Sequence, residues 1–216
     1  MPFINYPSAQ EVEALIRSAG YWPIDTTKHA LAQLQAQIGV EAARDEFERL
    51  TGWNPFMANT TPTQRLFDST DQNGYLDFHG AAVAVNSVSI AGQAQTLGTQ
   101  FQLQPQNAAS RGEAILGLQL GSRSHSALST PGSIAVTARW GRVDAIPGDV
   151  YQAISQKAAL IVLTQIENLQ SVASISEDGF SKAYDIVGIV TQKDLVTGVW
   201  SKDFDRIAAR WKRVIC

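Results

Sequence analysis

Ser133-Ile134-Ala135-Val136-Thr137-Ala138-Arg139-Trp140-Gly141, followed by Pro147-Gly148-Asp149-Val150 and a long apolar run to Leu169, is the stretch on which the fold turns. Ile134, Val136, Ala138 and Trp140 share one face of an extended chain, the period-two pattern of a half-buried strand. Gly141 ends it. Pro147 has no N–H to lose at a first helical position, and Asp149 sets negative charge against the positive end of the helix dipole. The helix that starts here carries Val150, Ile154, Ala158, Ile161, Val162, Ile166 and Leu169 at three- and four-residue steps, and from Ala158 to Leu163 it is apolar on nearly every side. It reads as a central helix entered from a β-rich block.

Upstream of that strand, alternation marks further strands at Tyr75 to Phe78, Val83 to Ile90, Thr99 to Leu103 and Ile115 to Leu120, with Gly, Asn, Pro and Ser between them. Together with the strand at Ile134 that makes about five, enough for a small antiparallel barrel or sandwich. Asn54-Pro55, Thr61-Pro62 and neighbouring Thr and Asn residues read as a linker into the block. No acidic or basic residue lies between Asp77 and Arg111. Uncharged polar strands meet a neighbouring subunit at lower desolvation cost than charged ones, and an ordinary exposed sheet is the equal alternative.

Farther upstream, Ser8 and Glu11 form a capping-box pair before Val12, Leu15 and Ile16, and Gly20 stops that short helix. After Tyr21-Trp22-Pro23, Thr26 or Thr27 caps a second helix with Leu31, Leu34, Ile38, Ala42, Phe47 and Leu50 as its apolar positions. Gly39 is placed to bend this helix and Gly52 to end it. Glu41, Arg44, Asp45, Glu46, Glu48 and Arg49 read as its solvated, ion-paired face.

Downstream of the central helix, Ser174 to Ser181 reads as a polar loop. Ile186 to Val190 is a second apolar stretch leading through Lys193-Asp194 to Trp200. Ser201 to Cys216 then carries Lys202, Arg206, Arg210, Lys212 and Arg213 against Asp203 and Asp205, with Phe204, Ile207, Ala208 and Trp211 at helical spacing. Three readings of this basic amphipathic helix are open: a protein-docking surface, since Arg and Trp dominate interface hot spots, a DNA-contacting patch, or a solvated helix.

The expected fold class is therefore α+β. An α-helical body, made of N-terminal helices plus central and C-terminal helices over residues 1–61 and 144–216, carries an inserted antiparallel β domain at 62–143. The 216 residues are 44% hydrophobic and only 17% charged, and the net charge is −3. Few charges suit a surface hidden in an assembly, and a negative balance argues against general nucleic-acid affinity. The single cysteine, Cys216, leaves no intramolecular disulfide and suggests a reducing compartment. A start lacking a basic and apolar leader, and the absence of a long apolar run, predict neither secretion by that route nor a membrane span. The sequon Asn59-Thr60-Thr61 therefore carries little weight.

Chemistry is sparse. Asp71, Asn73 and Gly74 mimic part of a calcium loop, but Ser69 and Gly80 stand where its first ligand and terminal carboxylate belong, so Asp71-Gln72-Asn73-Gly74 reads as a turn. His29, His79 and His125 lack zinc-ligand spacing. Ser124-His125 are adjacent in a Ser/Gly loop, a poor geometry for a nucleophile and its base. No catalytic residue, metal or cofactor is expected.

The order of several strings resembles the head-tail adaptor (connector) proteins of tailed bacteriophages. They are Ala42 to Gly52 with Pro55-Phe56, Ser87-Val88-Ser89-Ile90, Phe101-Gln102-Leu103-Gln104-Pro105, Ile134-x-Val136-Thr137-x-x-Trp140-Gly141 before Pro147-x-Asp149-Val150-x-x-Ala153-Ile154, and Tyr184 with Arg210-Trp211-Lys212-Arg213-Val214. The segment from Ser174 to Trp200 departs from the family pattern. The resemblance implies a non-enzymatic virion protein, made in the host cytoplasm, that forms a homo-oligomeric ring, typically a dodecamer, beneath the portal protein. It would extend the channel for double-stranded DNA without sequence-specific binding and dock the next neck, stopper or tail protein. On that reading Phe204, Arg206, Arg210, Trp211 and Arg213 dock on the portal, and Glu41, Asp45 and Glu48 line the lumen. The rival is a β-rich binding module for a glycan or another tail component, carried on helices.

Overall fold

The computed structural model describes residues 3–18, 26–121, 131–170 and 186–213. The readings at Gly20, Tyr21-Trp22-Pro23, Ser124-His125, the Ser174 loop, Tyr184, Val214 and Cys216 lie outside them. In chain order the elements are α1 (Ala9–Ser18), α2 (Thr26–Thr51), β1 (Thr63–Phe67), β2 (Tyr75–Ile90), β3 (Gln93–Ala94), β4 (Phe101–Gln104), α3 (Ala108–Arg111), β5 (Ile115–Leu120), β6 (Ile134–Trp140), α4 (Gly148–Gln170) and α5 (Ile186–Trp211). The class is α+β. Two compact units divide the chain, Met1–Thr51 with Ile146–Cys216, and Gly52–Ala145.

In the helical unit α4 packs against α1, α2 and α5, and it buries Val150, Ala153, Ile154, Ala158, Ala159, Val162 and Leu163. The capping box forms at the start of α1: the Ser8 N–H and hydroxyl both donate to the Glu11 carboxylate, at 2.8 and 2.7 Å. The Tyr151 hydroxyl of α4, with these Ser8 donors, holds the Glu11 carboxyl below its ordinary value. Phe3 pairs its backbone with Ile146, and its ring stacks on Tyr151 at 3.8 Å.

The inward face of α2 differs from the expected one. Ala32, Ala36, Gly39, Ala43 and Phe47 are buried, whereas Leu34 and Ile38 remain 53% and 44% exposed and Ala42 is exposed too. The reason is close approach to α4. A Cβ on Gly39 would lie 3.1 Å from the Ala158 carbonyl oxygen and 3.2 Å from a Val162 methyl. The helix continues unbroken through Gly39, which serves this contact and does not end or interrupt the element.

A second correction concerns the C-terminal region. The apolar stretch at Ile186 and the basic terminal segment form one 26-residue helix, α5. Gly198 in its interior costs only about 1 kcal/mol relative to Ala, which the flanking helix absorbs.

The β unit is a six-stranded antiparallel sheet in the order β1-β6-β2-β5-β4, with β3 paired to β2. It is open, not a closed barrel or a two-sheet sandwich. The two strands expected at Tyr75 and Val83 are a single 16-residue strand, β2. Its first half pairs with β5 (Leu76 opposite Leu118) and its second with β6 (Val88 opposite Val136), so two half-sheets share one strand. An irregularity between Asp77 and Ala82 separates the halves; His79 there takes a φ of 50°, and its N–H donates to the Asp77 carboxylate.

Along β6 burial alternates as the sequence predicts, with Ile134, Val136, Ala138 and Trp140 all fully enclosed. Trp140 anchors the unit. Phe78 meets it edge-on at 5.0 Å, the Arg65 guanidinium lies 4.3 Å over its ring, and its indole N–H donates to the Thr63 carbonyl at 2.8 Å. Strand β1, just past the linker read at Asn54 to Pro62 and inside the expected β domain but given no strand there, pairs with β6 from Thr63 to Phe67. It is a polar edge strand and has little apolar alternation to betray it. Residues 52–61 also join this unit: the Phe56 carbonyl accepts from Arg142 and Val143, and Ala58 donates to the Val143 carbonyl at 2.8 Å.

Gly141 has a φ of 151°, and a Cβ there would collide with the Ala58 backbone. Gly141→Ala should therefore destabilise the protein by about 2–3 kcal/mol in urea unfolding. A lowered carboxyl pKa adds stability above its unfolded value and loses it as pH falls through the folded one. Glu11→Gln should accordingly flatten the fall of melting temperature with pH below about 4.5.

Candidate functional site

Among the described residues no group of three or more His, Cys, Asp and Glu side chains is placed to hold a metal ion. The Asp71 carboxylate accepts from the N–H of Asn73 and of Tyr75, at 2.9 and 2.6 Å, which is the turn expected there. It lines an open hollow of about 530 Å³ with Asp68, Asp77 and His79. Asp68 and Asp77 are likewise bonded to backbone N–H groups, of Gly132 and His79. These carboxylates shape turns.

The helical unit offers surfaces instead. On α5, Phe204 and Ala208 face inward, while Val199, Lys202, Arg206, Ala209 and Arg210 form an exposed stripe on the opposite side. Phe204 is fully buried, edge-on to Phe47 at 6.0 Å, with the Lys157 ammonium 5.1 Å over its ring. Lys157 also pairs with Glu46 at 2.9 Å. Phe204 thus belongs to the core and is not part of a docking face; the helical phase that points the basic residues outward points this residue in.

The other residues expected to dock are at the surface. Arg206 donates to Asp203 at 2.9 Å. Arg210 and the Trp211 indole both reach the Asp149 carboxylate, at 3.4 Å, and the Arg213 N–H donates to the Thr51 carbonyl at 2.7 Å. Trp211 is half-buried, so the last turn of α5 is held on the first turn of α4 while Arg210 and Lys212 stay exposed.

The acidic set on α2 separates in the same way. Glu41 and Asp45 are exposed, and Asp45 pairs with its neighbour Arg44 at 2.8 Å. Glu48 is 9% exposed and accepts from the Tyr6 hydroxyl at 2.9 Å, so it faces no lumen. Glu41 and Asp45 share their face with Leu34 and Ile38, two of the helix's apolar positions. The signal that identifies the true inward face is the small-residue series Ala32, Ala36, Gly39, Ala43, stepped by four and three.

No protein-family model matches the chain, and no curated protein does. Solved structures resemble it, among them two particle necks. The neck of a native GTA particle computed with C12 symmetry has 14% identity, covers 100% of this chain and 96% of its own, and superposes with a TM-score of 0.49. The neck of an empty GTA particle computed with C6 symmetry has 14% identity, covers 85% of this chain and 80% of its own, and gives 0.48. Overlap at this level transfers neither fold nor role, and the chain's own residues must carry both.

Burial separates the two classes of α5 residue. Phe204→Ala should cost about 3–5 kcal/mol in chemical denaturation, and Arg206→Ala should stay within about 0.5 kcal/mol of the parent.

Proposed function

We propose that the chain is a structural subunit of a phage-type neck, a head-tail adaptor that forms a ring beneath a portal. The observation that carries this is α5: it is anchored inward by Phe204, Ala208 and Trp211 and carries Lys202, Arg206 and Arg210 outward, with Lys212 exposed just past its end. The basic residues of an ending that resembles that of the adaptor proteins thereby project from a packed helical unit. Preorganised faces of this kind bind with little ordering cost. A structural role needs no more chemistry than that.

In this reading the ring continues the DNA channel and passes the duplex without sequence-specific contacts, in keeping with a net charge of −3. Portal docking falls to the end of α5, through Arg210, Lys212 and Arg213, with Trp211 holding the turn that presents them. The opposite side of the ring receives the next neck or tail protein.

Electron microscopy of the purified protein, alone and after mixing with portal-bearing heads, tests the proposal. Closed rings that attach at the portal vertex are expected, and Arg210→Glu with Lys212→Glu should leave the rings intact but detached from heads. A protein that stays monomeric and binds only glycan or a tail component would replace the adaptor reading with the β-rich binding module.

A further inference from the structure

Two exposed helix faces of the helical unit carry the same spacing with opposite charge. On α2, Ile38, Glu41 and Asp45 stand at i, i+3 and i+7; on α5, Val199, Lys202 and Arg206 stand at i, i+3 and i+7. All six residues are exposed, Ile38 by 44% and Val199 by 53%, and Leu34, one turn before Ile38, by 53%. Each triplet spans about 10.5 Å of helix axis. Laid side by side and parallel, the two faces bring apolar against apolar and acid against base at every step.

Within one chain these stripes cannot meet, because α2 and α5 face each other through Phe47 and Phe204. We propose that the α2 face of one subunit packs on the α5 face of a second copy, with Ile38 against Val199, Glu41 against Lys202 and Asp45 against Arg206. The occupant is argued from the complement itself: the matching spacing and opposite charge sit on the same polypeptide, so every copy brings both halves. Two different patches in contact make a heterologous interface, the kind that closes into rings. The inference rests on the ring reading and assigns Glu41 and Asp45 to the subunit boundary, not the lumen.

The existing partners do not oppose it. Asp45 with Arg44, and Arg206 with Asp203, are solvent-exposed pairs, which contribute little and exchange readily. Charge pairs across an interface chiefly set register and partner choice, while the apolar contacts of Leu34, Ile38 and Val199 supply area.

Charge reversal tests the pairing, read by sedimentation and native mass spectrometry of the purified full chain. The acid-to-base variant (Glu41→Lys with Asp45→Lys) and the base-to-acid variant (Lys202→Glu with Arg206→Glu) should each self-associate about tenfold or more weakly than the parent. Mixing the two should restore assembly, as alternating rings. The variant carrying all four changes should assemble with itself and be excluded from parent rings. Unchanged circular dichroism melts are expected, because all four side chains are exposed. Parent rings indifferent to these reversals would overturn the pairing and leave the ring reading standing. A parent that forms no oligomer would overturn both.

Discussion

The close approach of α2 to α4 is the constraint on which the helical unit depends. Helices that pack through large side chains stay about 10 Å apart; those that meet through alanine and glycine come nearer, at the lower end of the 8–10 Å range. Gly39 lies against the Ala158 carbonyl and Val162, with Ala32, Ala36 and Ala43 continuing the seam. Once that seam is chosen, the rotation of α2 follows. Leu34 and Ile38 turn outward, Phe47 turns toward Phe204, and Glu46 comes within reach of Lys157. The apolar stripe that would ordinarily be core becomes surface.

A comparable choice organises the β unit. One long strand, β2, serves two partners in succession, with the irregularity at Asp77 to Ala82 separating its halves. Both halves contribute to a single core around Trp140, which includes Leu76, Leu118, Val136 and Phe78. The sheet's edge strands, β1, β3 and β4, are all short. Short edge strands limit unwanted pairing. Charge is not needed for the purpose between Asp77 and Arg111, where no acidic or basic residue lies.

The proposed role follows from surfaces on packed elements. Asp68, Asp71 and Asp77 shape turns and Glu11 caps a helix, and the best-placed basic residues project from a helix whose other side is core. Such an arrangement suits recognition between rigid bodies, where complementarity sets register and specificity and the apolar contacts set much of the affinity. The two proposed contacts divide the C-terminal region along its length, the neighbour meeting the stripe of α5 from Val199 to Arg206 and the portal meeting Arg210 and the residues just past the helix.

Local patterns determined a good deal of this. The alternation at Ile134 to Trp140, the capping box at Ser8 and Glu11, the start of α4 near Pro147 and the turn at Asp71 are each written in residues a few positions apart, and each is found as read. The physical reason is that strand period, helix capping and turn bonding are short-range. What neighbouring residues do not encode needed the tertiary structure. The sequence alone could not show that Tyr75 to Ile90 is one strand, that β1 joins the sheet as a polar edge, or that α5 is continuous from Ile186. Nor could it show that Phe204 and Glu48 are enclosed while Leu34 and Ile38 are not. Helical periodicity identifies candidate faces by hydrophobicity, but which face goes inward is settled by how closely two backbones approach, and that depends on Gly39 meeting Ala158 more than a hundred residues away.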